Sequence, residues 1–338
     1  MRVMHRRLCT LQLVAVIAAL GWSVTVKADT PRIPFQIATG STTGIYFPVG
    51  EAIAGLISHP PGVTRCDTPN VCGPAGLIVS ARTSEGTLDN VLSVNSGDVD
   101  SGLAQSDVVS AAVKGQGPFR GKGKQSHVRV IASLFSEDVH LVVASDSKIE
   151  SVSGLRGKRV SFGLPGSGVS FTADEILKAY DVSPTRMRRF TLDTPTAMDQ
   201  LKQGRIDAFF AVSGVPVDGL NDLLASHAAR LVPITGQGRS QLLKSQPSLE
   251  AAVMNYPGQP QVGTVATRAV WIVRDSVPDM LVYEITRALF NPANRGALTA
   301  SHPSAREIGL TTAALMAPAP IHSGAARFYA EAGRGAQR

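Results

Sequence analysis

One segment of this chain occurs twice. Residues 97–106 read GDVDSGLAQS and residues 204–213 read GRIDAFFAVS, sharing Gly-x-(Val/Ile)-Asp-x-x-x-Ala-x-Ser. A second pair lies upstream: residues 37–47, IATGSTTGIYF, are echoed by residues 160–171, VSFGLPGSGVSF. Both pairs run in the same order and at similar separation. The duplication predicts two α/β lobes of like construction, with a cleft between them for a small ligand.

The N-terminus has the pattern of a secretory signal. Arg2, Arg6 and Arg7 precede an apolar stretch over 11–20, too short for a membrane span. Val26 and Ala28 suit the −3 and −1 positions, so residues 1–28 are expected to be a signal peptide cleaved before Asp29, which places the mature chain in the periplasm. Cys9 precedes the apolar stretch, which argues against a lipid anchor there. Cleavage removes four basic residues and no acid, leaving 29 Lys and Arg against 26 Asp and Glu, so the formal charge falls from +7 to +3. No basic run with interleaved aromatics is present, which argues against nucleic acid as a partner. Residues 29–338 suffice for two domains with a substantial core. Cys66 and Cys72, a close pair in an exported chain, read as a disulfide stiffening a local hairpin.

Apolar periodicity predicts strands over 35–38, 77–81, 103–104, 128–135, 139–145, 206–210, 231–234 and 262–273. Helices are predicted over 45–58, 88–95, 108–113, 170–180, 196–203, 217–225, 278–290 and 325–332. Residues 115–125 read as an exposed, basic, glycine-rich loop. Strands alternating with helices imply an α/β fold with a largely parallel sheet in each lobe. In such sheets a ligand sits beyond the carboxyl ends of strands, against helix N-termini.

Both glycine loops, 39–44 and 163–168, fall between a strand and a helix. Such a loop offers unpaired backbone N–H groups at the positive end of a helix, a setting for a carboxylate. Neither loop ends in Gly-Lys-Ser/Thr or spells Gly-x-Gly-x-x-Gly, which argues against a nucleotide loop. Tyr46 falls on the first turn of its helix, at the cleft mouth. Gln105, Ser106 and Asp107 follow one strand, and Ser213 and Gly214 follow another, so these polar groups should converge on the cleft. Asp100 and Asp207 begin their strands on the far side and read as structural.

Taken together, Thr39 to Pro48, Ser84 to Asn90, Gln105 to Asp107, Gly154 to Val160, Pro165 to Gly168, Ile206 to Phe210, Gly214 to Pro216, Tyr283 to Phe290 and His322 to Gly333 resemble the TAXI family, the solute receptors of tripartite ATP-independent periplasmic (TRAP) transporters. The resemblance spans nearly the whole chain after residue 28, in order. It implies the type II periplasmic-binding-protein fold, two α/β lobes joined by hinge strands near 137–141 and 263–269. Residues 29–138 with 266–338 would form one lobe and 139–265 the other. It further implies a monomeric receptor, without cofactor or metal, that captures an amino acid such as glutamate or glutamine, or an organic acid, and delivers it to a TRAP membrane permease. The implied ligand contacts are Gly44, Tyr46, Ser84, Thr87, Asn90, Gln105, Ser106, Pro165, Gly166, Ser167, Gly168, Val169, Ser170, Ser213 and Gly214.

The chain departs from the family pattern at Glu85, where relatives usually carry a small residue, at Val169, which stands for a frequent threonine, and at Ser323, which stands for the proline of a common His-Pro-Gly-Ala. Arg82 is the nearest candidate for a carboxylate clamp. The same fold would serve an ATP-driven (ABC) importer or a sensor kinase, and these remain alternative partners. A hydrolytic enzyme fits poorly: Gly166-Ser167-Gly168 lacks the Gly-x-Ser-x-Gly frame, no His-Glu-x-x-His occurs, and both mature cysteines read as paired.

Overall fold

A computed structural model describes residues 32–315 and 317–335. The expected signal peptide and Cys9 lie outside the described residues. The chain opens on β1 (Ile33–Ala38), whose Phe35 and Ile37 are buried, then α1 (Tyr46–Ile57), which packs Val49, Ile53, Leu56 and Ile57 inward at helical spacing. Next come β2 (Leu77–Arg82), α2 (Thr87–Ser96), β3 (Ser101–Gln105) and α3 (Ser106–Lys114). Gly97 at φ 92° closes α2 in the left-handed conformation that glycine adopts without steric cost. The long β4 (Val128–Ala144) leads to β5 (Arg159–Ser161), α4 (Val169–Ala179), β6 (Arg188–Phe190), α5 (Thr194–Lys202) and β7 (Ala208–Ser213). Then follow α6 (Leu220–Ala225), β8 (Ala229–Leu231), α7 (Gly236–Ser245), β9 (Glu250–Met254) and the long β10 (Val262–Arg274). The chain finishes with α8 (Asp279–Leu289), α9 (Arg295–Ser301) and α10 (Ser323–Gly335).

The ten strands of the described residues form one sheet in the order β2-β1-β3-β10-β4-β7-β5-β6, with β8 on β4 and β9 on β10. Its two ends mirror each other. β2, β1 and β3 are parallel and meet an antiparallel β10; β6, β5 and β7 are parallel and meet an antiparallel β4. The repeated sequence segments occupy matching places: Ile37 pairs with Ser101, and Val160 with Ala208. The two repeat aspartates act alike. Asp100 Oδ2 accepts the Gln36 amide at 2.8 Å, and Asp207 Oδ2 accepts the Arg159 amide at 2.7 Å. Asp207 also forms an ion pair with Arg159, whose hydrogen bonds hold its carboxyl below the usual range.

Side chains alternate across the sheet and build a core on each face. On β10, Trp271 and Val273 join Phe35 and Phe135 on one face, while Val270 and Ile272 join Val91 and Val108 on the other. On β7, Phe210 packs with Phe162 and Ile176, while Phe209 packs with Leu220 and Leu224.

Several expected elements change. The strands expected over 128–135 and 139–145 are one 17-residue strand, because its polar middle, Ser136 to Asp138, turns toward other groups and does not break the ladder. The strand expected over 231–234 lies at Ala229–Leu231, and the helix expected from 217 begins at Leu220. The loop over 115–125 is exposed along most of its length, as expected, and Phe119, buried in a short 3-10 turn, anchors it. Cys66 and Cys72 are bonded, with Cα atoms 5.3 Å apart. Closing so short a loop stabilises by about 2 kcal/mol in the chain-entropy picture. The double Cys→Ser variant is therefore expected to melt several degrees lower, and intact mass of the wild type should fall two hydrogens short of the reduced chain.

Among the described residues no helix is long and apolar enough to cross a membrane.

Candidate functional site

The loops after β1 and β5 face each other across a cavity of about 550 Å³, within the size range of small-molecule sites. Each loop is shaped by its own hydrogen bonds. Gly44 N–H donates to the Ser41 carbonyl at 3.1 Å, and Ser167 N–H to that of Leu164 at 3.0 Å. The halves touch beside the cavity: Leu88 N–H donates to the Gly166 carbonyl at 2.9 Å, and the Thr172 hydroxyl to Asp107 Oδ2 at 2.6 Å. Side chains are absent where they must be. A Cβ on Gly166 would stand 2.3 Å from Glu85 Cβ, and one on Gly168 would stand 1.4 Å from Gln105 Oε1.

Of the contacts expected from the sequence, Gly44, Tyr46, Thr87 and Gln105 line the cavity from the first half. Ser167, Gly168, Val169 and Ser213 line it from the second. The others are placed elsewhere, each for a visible reason. Ser84 Oγ accepts the Gly86 amide. Asn90 donates to the carbonyls of Thr39 and Leu103 at 2.6 and 2.7 Å, tying α2 to the sheet. Ser106 Oγ meets the Ser248 carbonyl and Thr267 Oγ1. Pro165 is exposed, and Gly166 faces the first half, its carbonyl accepting from the Leu88 amide. Ser170 Oγ accepts from Arg189, and Gly214 packs against Ser304. Glu85 lines the cavity, whereas Arg82 is exposed and bonded to Gln36 Oε1 at 2.7 Å. Glu137, Asp193, Asp218 and His302 also line it and were not among the expected contacts.

Glu137 sits mid-way along β4, 3% exposed, and accepts the Tyr46 hydroxyl on Oε2 at 2.7 Å. Burial pushes its carboxyl up to about 8, the Tyr46 bond pulling down and the nearby Asp107 pushing further up. The Tyr46 hydroxyl is itself raised, by burial and then by the charge of Glu137. Asp107 is also raised by burial, against hydrogen bonds from Thr172 and Thr267. Burial lowers His302, favouring the neutral ring, whose Nδ1 accepts the Ser304 amide at 3.1 Å. Gln105 is 3% exposed, and its Nε2 has no hydrogen-bond partner among the described residues. Unpaired buried donors are costly, and this one lines the cavity. The N-termini of α1, α2, α4 and α5 also reach it. Among the described residues no group of three or more His, Cys, Asp or Glu could hold a metal ion.

A family model described as the NMT1-like family matches residues 37–333. The chain belongs to the NMT1-like family. Solved structures share the fold of this NMT1-like chain at low identity. XAC2383 from Xanthomonas citri bound to ATP is 12% identical with a TM-score of 0.50, the match covering 90% of this chain and 97% of that one. A binding-protein component of an ABC phosphonate transporter from Pseudomonas aeruginosa is 12% identical with a TM-score of 0.50, covering 81% and 79%. The fold of the NMT1-like chain is thus the mixed α/β, type II-like fold of periplasmic binding proteins, as the resemblance implies.

Proposed function

We propose that this NMT1-like chain is an exported, periplasmic solute receptor. It captures a small carboxylate-bearing solute, an amino acid or an organic acid, between two lobes that close about β4 and β10. The observation that supports this reading most is the cavity itself. Helix N-termini from both halves reach it, and Gln105 holds an unpaired buried donor there. Backbone amides at helix N-termini attract carboxylate oxygens, and closure lets both halves contribute them.

The test is thermal shift of the protein, unfolded and refolded to strip carried-over solute, against amino acids and organic acids. A ligand specific to the folded state raises the melting point as RT ln(1 + [L]/Kd). A rise without consumption of the solute supports a receptor; turnover of the solute would instead support an enzyme. For the solute so found, Gly168→Val is expected to weaken binding at least tenfold, because the new side chain displaces Gln105. The melting point of the empty protein should stay nearly unchanged. Unaltered affinity, read by calorimetry, would remove the second glycine loop from the site.

The resemblance to TAXI receptors supports a TRAP permease as the destination. An ABC importer is the alternative, being the system of the Pseudomonas aeruginosa structure. A neighbouring gene for a many-span permease favours the first, and one for an ATPase the second.

A further inference from the structure

The charged side chains around the cavity are one-sided. Glu85, Glu137, Asp193 and Asp218 line it, with a His302 that burial keeps toward neutral, and no lysine or arginine does so among the described residues. Two of these acids belong to helix ends. Asp193 caps α5, accepting the Thr196 amide at 2.9 Å, and Glu85 lies just before α2. Carboxylates at such positions balance the positive end of the helix. Asp218 is exposed to water.

Glu137 has none of these compensations. It stands mid-way along β4, belongs to no helix, and is almost wholly buried. Among the described residues the Tyr46 hydroxyl is the one side-chain donor it meets. Asp107 lies close enough to push its carboxyl further up, and among the described residues Glu137 forms no ion pair. A buried carboxyl without a cation keeps its proton, and a cationic group placed against it lets it ionise and form an ion pair.

We infer that the solute itself supplies that group: the bound molecule carries a protonated amine or other cation against Glu137, and has no net negative charge. This rests on the receptor reading above and narrows it. The solute's carboxylate, if present, takes the unpaired Gln105 Nε2 and the amides of the glycine loops, and its cation takes Glu137. The remaining cavity carboxylates, Glu85, Asp193 and Asp218, then disfavour a second acid group. Neutral and basic amino acids fit; glutamate, 2-oxo acids, dicarboxylates, sulfonates and phosphonates do not. Like charges placed together act as a filter against wrong partners.

The experiment is calorimetry on the refolded protein with a matched panel: neutral and basic L-amino acids, their 2-oxo acids, glutamate, succinate and putrescine. The expected result is binding of one or more amines, with the matching 2-oxo acid at least a hundredfold weaker and succinate without heat. For the amine that binds, Glu137→Gln should cost at least tenfold in affinity. A 2-oxo acid or dicarboxylate binding as tightly as any amine would overturn the cation inference and leave the receptor reading standing. Putrescine binding alone would support the cation and overturn the carboxylate. No binding across the panel would overturn both.

Discussion

Gly166→Val is expected to weaken solute binding at least a hundredfold, about 3 kcal/mol, while leaving the empty protein folded. The reason is where the new atoms fall. A Cβ at Gly166 would stand 2.3 Å from Glu85 Cβ and 3.0 Å from the Glu85 carbonyl oxygen. Neither is the end of a flexible side chain that could swing aside, so the loops of the two halves could not meet. The Leu88 amide would lose the Gly166 carbonyl that it now reaches at 2.9 Å. If closure traps the solute, the variant keeps an open, folded form of low affinity. Calorimetry with the identified solute, beside circular dichroism of the empty protein, checks this. Wild-type affinity would show that the loops need not touch for binding.

Glu137→Gln is expected to make the empty protein more stable at pH 8 and to flatten its stability between pH 5 and 8. Burial raises the Glu137 carboxyl from 4.5 to about 8. Between those values the folded chain holds a proton that the unfolded chain has released. Stability therefore falls as pH rises through that window. Glutamine has the same shape, does not titrate, and still offers Tyr46 an acceptor. The gain at pH 8 should be of the order of a few kcal/mol, since each pKa unit is worth roughly 1.4 kcal/mol. A residual slope of the same sign should persist. Asp107 is raised by burial, and Asp138 is raised to about 6 by burial and by Glu307 and Glu250. Urea melts at several pH values measure it, and an unchanged slope would show that Glu137 is not the buried acid responsible. The same substitution is expected to weaken binding of an amine, so one variant separates the cost of the empty site from the use of the filled one.

The fold was legible because its repeat is written in residues with backbone duties. Asp100 and Asp207 each accept a main-chain amide of the neighbouring strand, a role few residues can take, so the pattern around them persists. The glycine loops were legible for a similar reason, since close approach between halves excludes a Cβ. What stayed hidden depends on side-chain direction. Asn90 and Ser106 are as polar as Gln105, yet they satisfy carbonyls inside their own half, and sequence alone does not separate a group aimed at a carbonyl from one aimed at a ligand. Glu137 reads as a break between two strands, because polar residues in strands usually mark turns or edges. Here the strand continues and the polar face borders a cavity. The helix α7 and strand β9 escaped because little of either is buried: Leu242 in the first and Met254 in the second. His302 reaches the cavity from a segment with no recognisable motif of its own.

The two long strands also determine what can be cut from this molecule. β4 is laid against the first half's sheet and runs on to become the antiparallel strand of the second; β10 returns the other way. Each half is thus completed by chain that the other half has already claimed. A fragment ending at residue 137, or one beginning there, would expose an unpaired hydrophobic edge where its neighbour should lie. The halves duplicate each other in design, yet neither is a separable module. The chain is expected to be made, unfolded and degraded as a single unit.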